Sequence, residues 1–325
     1  MIHTAKFFMK LEKEDIYRLV DRYGEKVTVI GDLIDRKYEW SATSIYYSRS
    51  EESYSMNSWV LNLVVDFVKM LGRSNITEND YKFVENEMNN YIYELFGNSN
   101  NELKMVRLDY RVDIKVPKED RFILLKLYRK SYKKHGFKKL KNIKDFDTSI
   151  YFQSKSVSLL IYDKEKERID NNKEIQEYEK DILRMEVALF NRHLNYKNNR
   201  CNVFKDLQVY FNKSFYEKYI NDHLRKFINN GDHYKLYISE KIIYDSDLKE
   251  RDKEFLRQFL IDVSRSNLTG ILNLKDDSGK TIYSKYKRNK AINMLSKLNI
   301  NPISIPKNWR CKNHIKNPLA DFEIE

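Results

Sequence analysis

Residues Val106–Val116, VRLDYRVDIKV, alternate apolar and charged side chains without a break over eleven positions. In an extended chain successive side chains point to opposite faces, so this period of two specifies a strand. A helix would wrap the same residues around its whole circumference. Leu108, Tyr110, Val112, Ile114 and Val116 fall on one face, and Arg107, Asp109, Arg111, Asp113 and Lys115 on the other. Pro117 then closes the strand, having no N–H to continue a ladder. Such a strand is expected to border a core on one side and a polar cleft on the other.

The remaining pattern surrounds this strand with further strands and helices. IHTAKFFMKL reads as a strand, EKEDIYRLVDRYG as a helix stopped by Gly24, and EWSATSIYYSR and SWVLNLVV as two more strands. Thr77 and Asp80 have capping-box spacing, Tyr81, Val84, Met88, Tyr91 and Leu95 recur at helical spacing, and Gly97 is a stop. KEDRFILLKLYRKSYKK is an amphipathic helix with a basic end. TSIYF and VSLLIYDK flank a turn at QSKS as a β-hairpin, and a charged helical insertion runs to Asp181. ILRMEVALF is the next strand, with Arg184 and Glu186 opposite its apolar face. Beyond Cys201 helical patterning dominates, clearest in DKEFLRQFLIDVSR and YSKYKRNKAINMLSKLNI. The expected fold class is α+β: a central antiparallel sheet with flanking helices, followed by a mainly helical C-terminal region. The expected domains are residues 1–200 and 201–325.

With 325 residues, 41% of them hydrophobic, the chain is long enough to bury a large core, and a disordered chain is excluded. The formal charge of +12 favours a polyanionic partner, with nucleic acid ahead of an anionic membrane. The N-terminal residues lack the apolar stretch of a signal peptide. The most apolar run, WVLNLVVDFVKML, is interrupted by Asn62, Asp66 and Lys69 and is too short for a bilayer, so no membrane partner is expected. Two cysteines, Cys201 and Cys311, argue against a disulfide scaffold. Cys311 and His314 form only half of a zinc-binding pattern.

Three strands, carrying Asp109, Tyr162 and Glu186, each hold polar groups away from their apolar face. Placed in one sheet, two carboxylates and a phenol would converge. Carboxylate oxygens suit Mg²⁺ or Mn²⁺, which polarise a phosphodiester and stabilise the charge that grows on its oxygens. A phenol is a reversible phosphoryl acceptor, but its ordinary pKa of about 10 calls for a cation beside it. Lys164, two residues on, would share a strand face with Tyr162. With 24 tyrosines in the chain, a strand tyrosine that merely packs and hydrogen-bonds is the commoner case on the residues alone.

MIHTAKF, VRLDYRVDIKV, TSIYFQSKSVSLLIYDKEKE and LRMEVALFNRHL, taken in this order, resemble the replication proteins of the filamentous-phage gene II/X family. They are more distantly similar to the rolling-circle initiators of Gram-positive plasmids and their relaxase relatives. The shared elements are an Arg-hydrophobe-Asp strand, a strand ending Tyr-x-Lys-x-x-Glu (Tyr162, Lys164, Glu167), and an Arg-x-Glu strand (Arg184, Glu186). TIYSKYKRNKAINMLSKLNINP extends the likeness towards the C-terminus. The resemblance implies a sheet of the HUH-endonuclease type and a site-specific nicking and strand-transfer enzyme working in the cytoplasm of a bacterial host. It implies Tyr162 as nucleophile, Lys164 and Arg184 as charge helpers, and Asp109, Glu186 and Asp113 as ligands of Mg²⁺ or Mn²⁺. His-x-His, the usual metal motif of related nucleases, does not occur here, and His3 is the nearest substitute. No second tyrosine lies one helical turn from Tyr162, which points to a single-tyrosine mechanism. The implied partners are origin DNA, double-stranded for recognition and single-stranded at the nick, host helicase and polymerase, and a second copy on the origin. A conjugative relaxase and a non-catalytic DNA-binding regulator are the alternatives.

Two runs interleave cations with aromatic rings, the pattern that neutralises phosphates and stacks on bases. One holds Arg129, Lys130, Lys133, Lys134, Lys138 and Lys139 beside Tyr128, Tyr132 and Phe137. The other holds Lys285, Lys287, Arg288 and Lys290 beside Tyr283 and Tyr286. The second is expected on a helix whose buried stripe is Ala291, Leu295 and Leu298, making it a candidate for entering a DNA groove.

Overall fold

The computed structural model of the chain describes residues 1–48, 58–97, 102–131, 148–225 and 228–319. In chain order the elements begin β1 (Ile2–Leu11), α1 (Lys13–Tyr23), α2 (Val27–Lys37), β2 (Ser41–Ser48), β3 (Ser58–Asp66), α3 (Phe67–Leu71) and α4 (Tyr81–Phe96). Then follow β4 (Lys104–Lys115), α5 (Lys118–Ser131), β5 (Ser149–Gln153), β6 (Val157–Asp163), α6 (Lys164–Asp170), β7 (Ile182–Phe190), α7 (Asn191–Cys201), α8 (Leu207–Tyr210) and α9 (Lys213–Leu224). The last are β8 (His233–Tyr234), α10 (Leu236–Tyr244), α11 (Glu250–Arg265), α12 (Lys285–Lys297) and β9 (His314–Ile315). Among the described residues, seven strands form one sheet in the order β2-β3-β1-β4-β7-β6-β5, and β8 and β9 form a two-stranded ribbon. The fold is α+β, as the pattern led one to expect. No helix among these residues is long and apolar enough to cross a membrane.

The chain divides into two compact units that interleave in sequence. The first is Met1–Val112 with Lys155–Ser158 and Glu186–Ile220; the second is Asp113–Ser154 with Leu159–Met185 and Asn221–Glu325. Residue 200 falls near the end of α7, inside the first unit.

In the first unit β1 is flanked on both sides by antiparallel partners, β3 and β4. Ala5, Phe7 and Met9 stand opposite Val65, Leu63 and Leu61, and all six are buried, so one face of the ladder is a continuous apolar layer. Val84, Met88, Tyr91 and Leu95 of α4 are buried as well. Helix α4 is delimited as its sequence requires: Thr77 and Asp80 exchange the two capping-box bonds just before it, and Gly97 follows with φ of 69°. Helix α2 was not anticipated, because its valines and internal glycine are poor helix formers. Gly31 is nevertheless required: a Cβ there would lie 2.6 Å from the carbonyl oxygen of Thr43 in β2.

Strand β4 departs from expectation on one face. Its charged side is only partly solvated: Arg107 and Lys115 are exposed, but Asp109 and Arg111 are only 7% and 5% exposed. Each is buried with partners. Asp109 accepts from Thr4 and Arg107, and Arg111 donates to the carbonyl oxygen of Ser74 at 2.9 Å. Alternation reveals which residues share a face, whereas burial depends on what other segments lie over it.

In the second unit, α10, α11 and α12 pack through Ile243, Leu256, Phe259, Leu260, Ala291 and Leu295, all fully buried. Leu298, expected in the same stripe, closes α12 as its C-cap and is only half-buried. Tyr283, from the basic run, is buried and donates to Asp262 at 2.7 Å.

Candidate functional site

The end of β6 is fixed by Asp163. Its backbone is extended and its side chain accepts from the N–H of Lys166 at 3.1 Å, so the strand stops there and α6 begins at Lys164. Tyr162 is therefore the penultimate strand residue, with its side chain buried at 8% exposure. Lys164 does not lie on a strand face beside it, as an extended reading predicted. The Asp163 cap turns the chain, and Lys164 approaches Tyr162 from the first turn of a helix. Its Nζ is 5.9 Å from the centroid of the phenol ring, within cation–π range.

Lys164 is itself buried, at 7% exposure. Its ammonium donates to Glu167 Oε2 at 2.7 Å and lies 3.6 Å from Glu179 Oε1. Glu179 is 1% exposed and receives a two-pronged bond from Arg168 at 2.7 and 2.6 Å. Burial pushes the Glu179 carboxyl up, but Arg168, the backbone of Gln176 and the charge of Lys164 together hold it below its ordinary value. Arg168 and Glu179 carried no signal in the sequence, because they come together only when the insertion folds back.

A second buried cation grips the same strand end. Arg121, in the first turn of α5 and 1% exposed, bonds Asp163 at 2.8 Å, Glu165 at 2.7 Å, Asp181 at 2.9 Å and the carbonyl of Val116 at 2.9 Å. A guanidinium offers a planar fork of five N–H groups, and four oxygens here use it, which offsets the cost of burying its charge. Residues Asp163 and Glu165, on either side of Lys164, are thus tied to α5.

Arg184 and Asp113, expected as a charge helper and a metal ligand, bind one another instead. Arg184, 2% exposed, donates Nε to Asp113 Oδ1 at 2.6 Å and Nη2 to Asp113 Oδ2 at 2.8 Å. In the first unit Asp109 accepts from Thr4 Oγ1 at 2.7 Å and from Arg107 Nε at 2.8 Å. Glu186 Oε1 lies 3.4 Å from His3 Nδ1. Among the described residues no three His, Cys, Asp or Glu side chains gather into a metal-binding group. Mg²⁺ usually keeps several waters and takes one or two protein carboxylates together with substrate phosphate. The Glu186 carboxylate with His3 fits that limited role; Asp113, with both oxygens on a guanidinium, does not in this arrangement. His314, half of the zinc pattern, bonds Asp232 at 2.9 Å and stacks on Tyr234.

Of the basic runs, Lys133, Lys134, Lys138 and Lys139 lie outside the described residues. Arg129 donates to the carbonyl of Ser149 at 2.9 Å, and Lys130 lies 5.3 Å from the centroid of the Trp309 ring. Lys285 and Lys287 are exposed in the first turn of α12, Arg288 is half-buried, and Tyr286 beside them is 78% exposed.

Residues 61–221 match the family model for the N-terminal part of the phage gene II replication-associated protein. No curated protein matches the sequence. The matched span contains Asp109, Tyr162, Lys164, Glu167, Arg184 and Glu186, as well as Arg168, Glu179 and Arg121.

Proposed function

The chain belongs, through residues 61–221, to the filamentous-phage gene II family of phage replication-associated proteins, and from that premise we propose that it initiates rolling-circle replication by nicking one strand of its origin. The observation that carries this reading is the coincidence of the family match with a buried tyrosine at a strand end, with the Lys164 ammonium 5.9 Å from its ring centroid.

Tyr162 is the nucleophile. Its phenolic oxygen attacks the scissile phosphorus and gives up its proton to solvent, while the bond to the 3′ oxygen breaks and that oxygen takes up a proton from solvent. The products are a 5′-phosphotyrosyl link and a 3′-hydroxyl that primes synthesis. The reverse reaction closes a circle without further energy, because a phosphodiester is exchanged for one of similar energy. Lys164 supplies positive charge beside the phenol and favours its ionised form. Glu167 and Glu179 hold that ammonium in place, and the Arg121 cluster fixes the strand end that carries it. Mg²⁺ or Mn²⁺ would be held by Glu186 with His3, and would supply polarisation of a phosphodiester and stabilisation of the charge on its oxygens. Residues 1–200 are proposed as the nicking portion and residues 201–325 as the portion that reads duplex origin DNA, through the exposed cations of α12.

The test is nicking of supercoiled origin DNA with Mg²⁺ or Mn²⁺, comparing wild type with Tyr162→Phe. Wild type should nick and yield a covalent protein–DNA adduct, and the Phe variant should do neither. An adduct that persists in Tyr162→Phe removes Tyr162 from the reaction. Sequence-specific binding without any nicking by wild type would make the protein a regulator.

A further inference from the structure

Helix α5 presents Phe122, Lys126 and Lys130 at successive i, i+4 positions, hence on one face. Facing them is the segment Pro306–Lys312, folded into consecutive turns: the N–H of Trp309 donates to Pro306 at 3.1 Å and that of Cys311 to Trp309 at 3.0 Å. The turns present the Trp309 indole to the helix. Lys126 Nζ stands 4.0 Å from the Phe122 ring centroid and 5.8 Å from that of Trp309, which Lys130 also approaches at 5.3 Å. Between helix and turns lies a cavity of about 640 Å³, within the range of about 300–1,000 Å³ usual for small-molecule sites. Phe122 is 43% exposed, so the aromatic surface is open to a ligand. Asp120 lines the same cavity and is 8% exposed. Its Oδ2 accepts from Lys312 at 2.8 Å, while its Oδ1 is buried with no hydrogen-bond partner among the described residues.

We propose that this cavity takes one unpaired nucleobase of single-stranded DNA, stacked on Trp309, with its phosphate on Lys126 and Lys130 and its exocyclic amino group donating to Asp120. Each part answers a separate feature. An indole beside two lysine ammonium groups is the pairing that single-strand binders use: the ring takes the base, and the cations, now resting on the ring, move to the phosphate. A buried carboxylate oxygen without a partner is costly, and a base amino group satisfies it. Adenine, cytosine and guanine carry such a group and thymine does not, so the site should discriminate against thymine. The proposal rests on the reading that the protein handles an unpaired strand, and it adds a holding site outside the Tyr162 cluster.

The experiment uses the full chain and fluorescently labelled dC, dA and dT oligonucleotides of about ten residues, followed by anisotropy. Wild type should bind dC and dA several-fold more tightly than dT. Trp309→Ala should weaken dC binding about tenfold and Trp309→Phe much less, since base–ring stacking of this size is sequence-tolerant and survives a change of ring. Asp120→Ala should narrow the gap between dC and dT. Unchanged dC binding by a Trp309→Ala protein with wild-type thermal unfolding overturns the proposal, whatever the nicking assay gives. Equal binding of dC and dT by wild type removes Asp120 from it. Competition by free dCMP as strong as by the oligonucleotide would make the ligand a mononucleotide and overturn the strand-holding role. Because Tyr162→Phe should bind these oligonucleotides as wild type does, loss of nicking with intact Trp309-dependent binding would sink the nicking reading alone.

Discussion

Lys164 donates to Glu167 Oε2 at 2.7 Å, so the Lys and Glu of the Tyr-x-Lys-x-x-Glu spacing are partners on one helical turn. Glu167 thereby gains a role: it positions the ammonium that lies against Tyr162. Lys164→Ala should slow nicking by about 100-fold, the usual effect of losing one preorganised charge beside a reacting group. Glu167→Gln should slow it less, since Glu179 still holds Lys164, and should shift the pH at which nicking turns on. Single-turnover nicking rates across pH check both. An unchanged pH profile in Glu167→Gln would argue against the positioning role.

Arg121 answers three carboxylates from a fully buried position. Arg121→Met removes the cation and leaves those carboxylates facing one another, a loss of about 3 kcal/mol or more. Urea denaturation should show it as a lower midpoint with the slope little changed.

His233 sets an acid limit. Its Nδ1 donates to the carbonyl of Ile303 at 2.9 Å, and its Nε2 is buried with no partner among the described residues. Burial lowers its pKa from 6.5 to about 4. The folded protein thus keeps the ring neutral while the unfolded chain protonates it. The associated stability is complete above pH 6.5 and is lost as pH falls from there towards 4, by at most about 3 kcal/mol. Thermal unfolding between pH 7 and 4 should show this slope, and His233→Gln should flatten it.

Lys285 and Lys287 stand exposed at the start of α12. If they contact duplex phosphates, Lys285→Ala and Lys287→Ala should each weaken binding to all duplexes alike. Each should also reduce the slope of log affinity against log salt by about one. A salt titration of origin DNA and of an unrelated duplex measures this, and unchanged slopes would remove α12 from the interface.

The strands and helices were legible because their signals are local. Period-two alternation wrote β4, the Thr77 and Asp80 box marked the approach to α4, and Gly24 and Gly97 ended α1 and α4. The motif that carries Tyr162 was legible too, since three residues at fixed spacing survive as a pattern in one dimension. Tertiary structure alone decided which charges are free. Asp109, Arg111 and Arg184 read as a polar face and are buried. Asp113 read as a metal ligand and holds Arg184. Arg121 and Glu179 had no signal, yet they fix the strand end and the ammonium beside Tyr162. Sequence period reports which way a side chain points. A charge's partner is set by which distant segment packs over it, and the cost of burying an ion makes that partner obligatory.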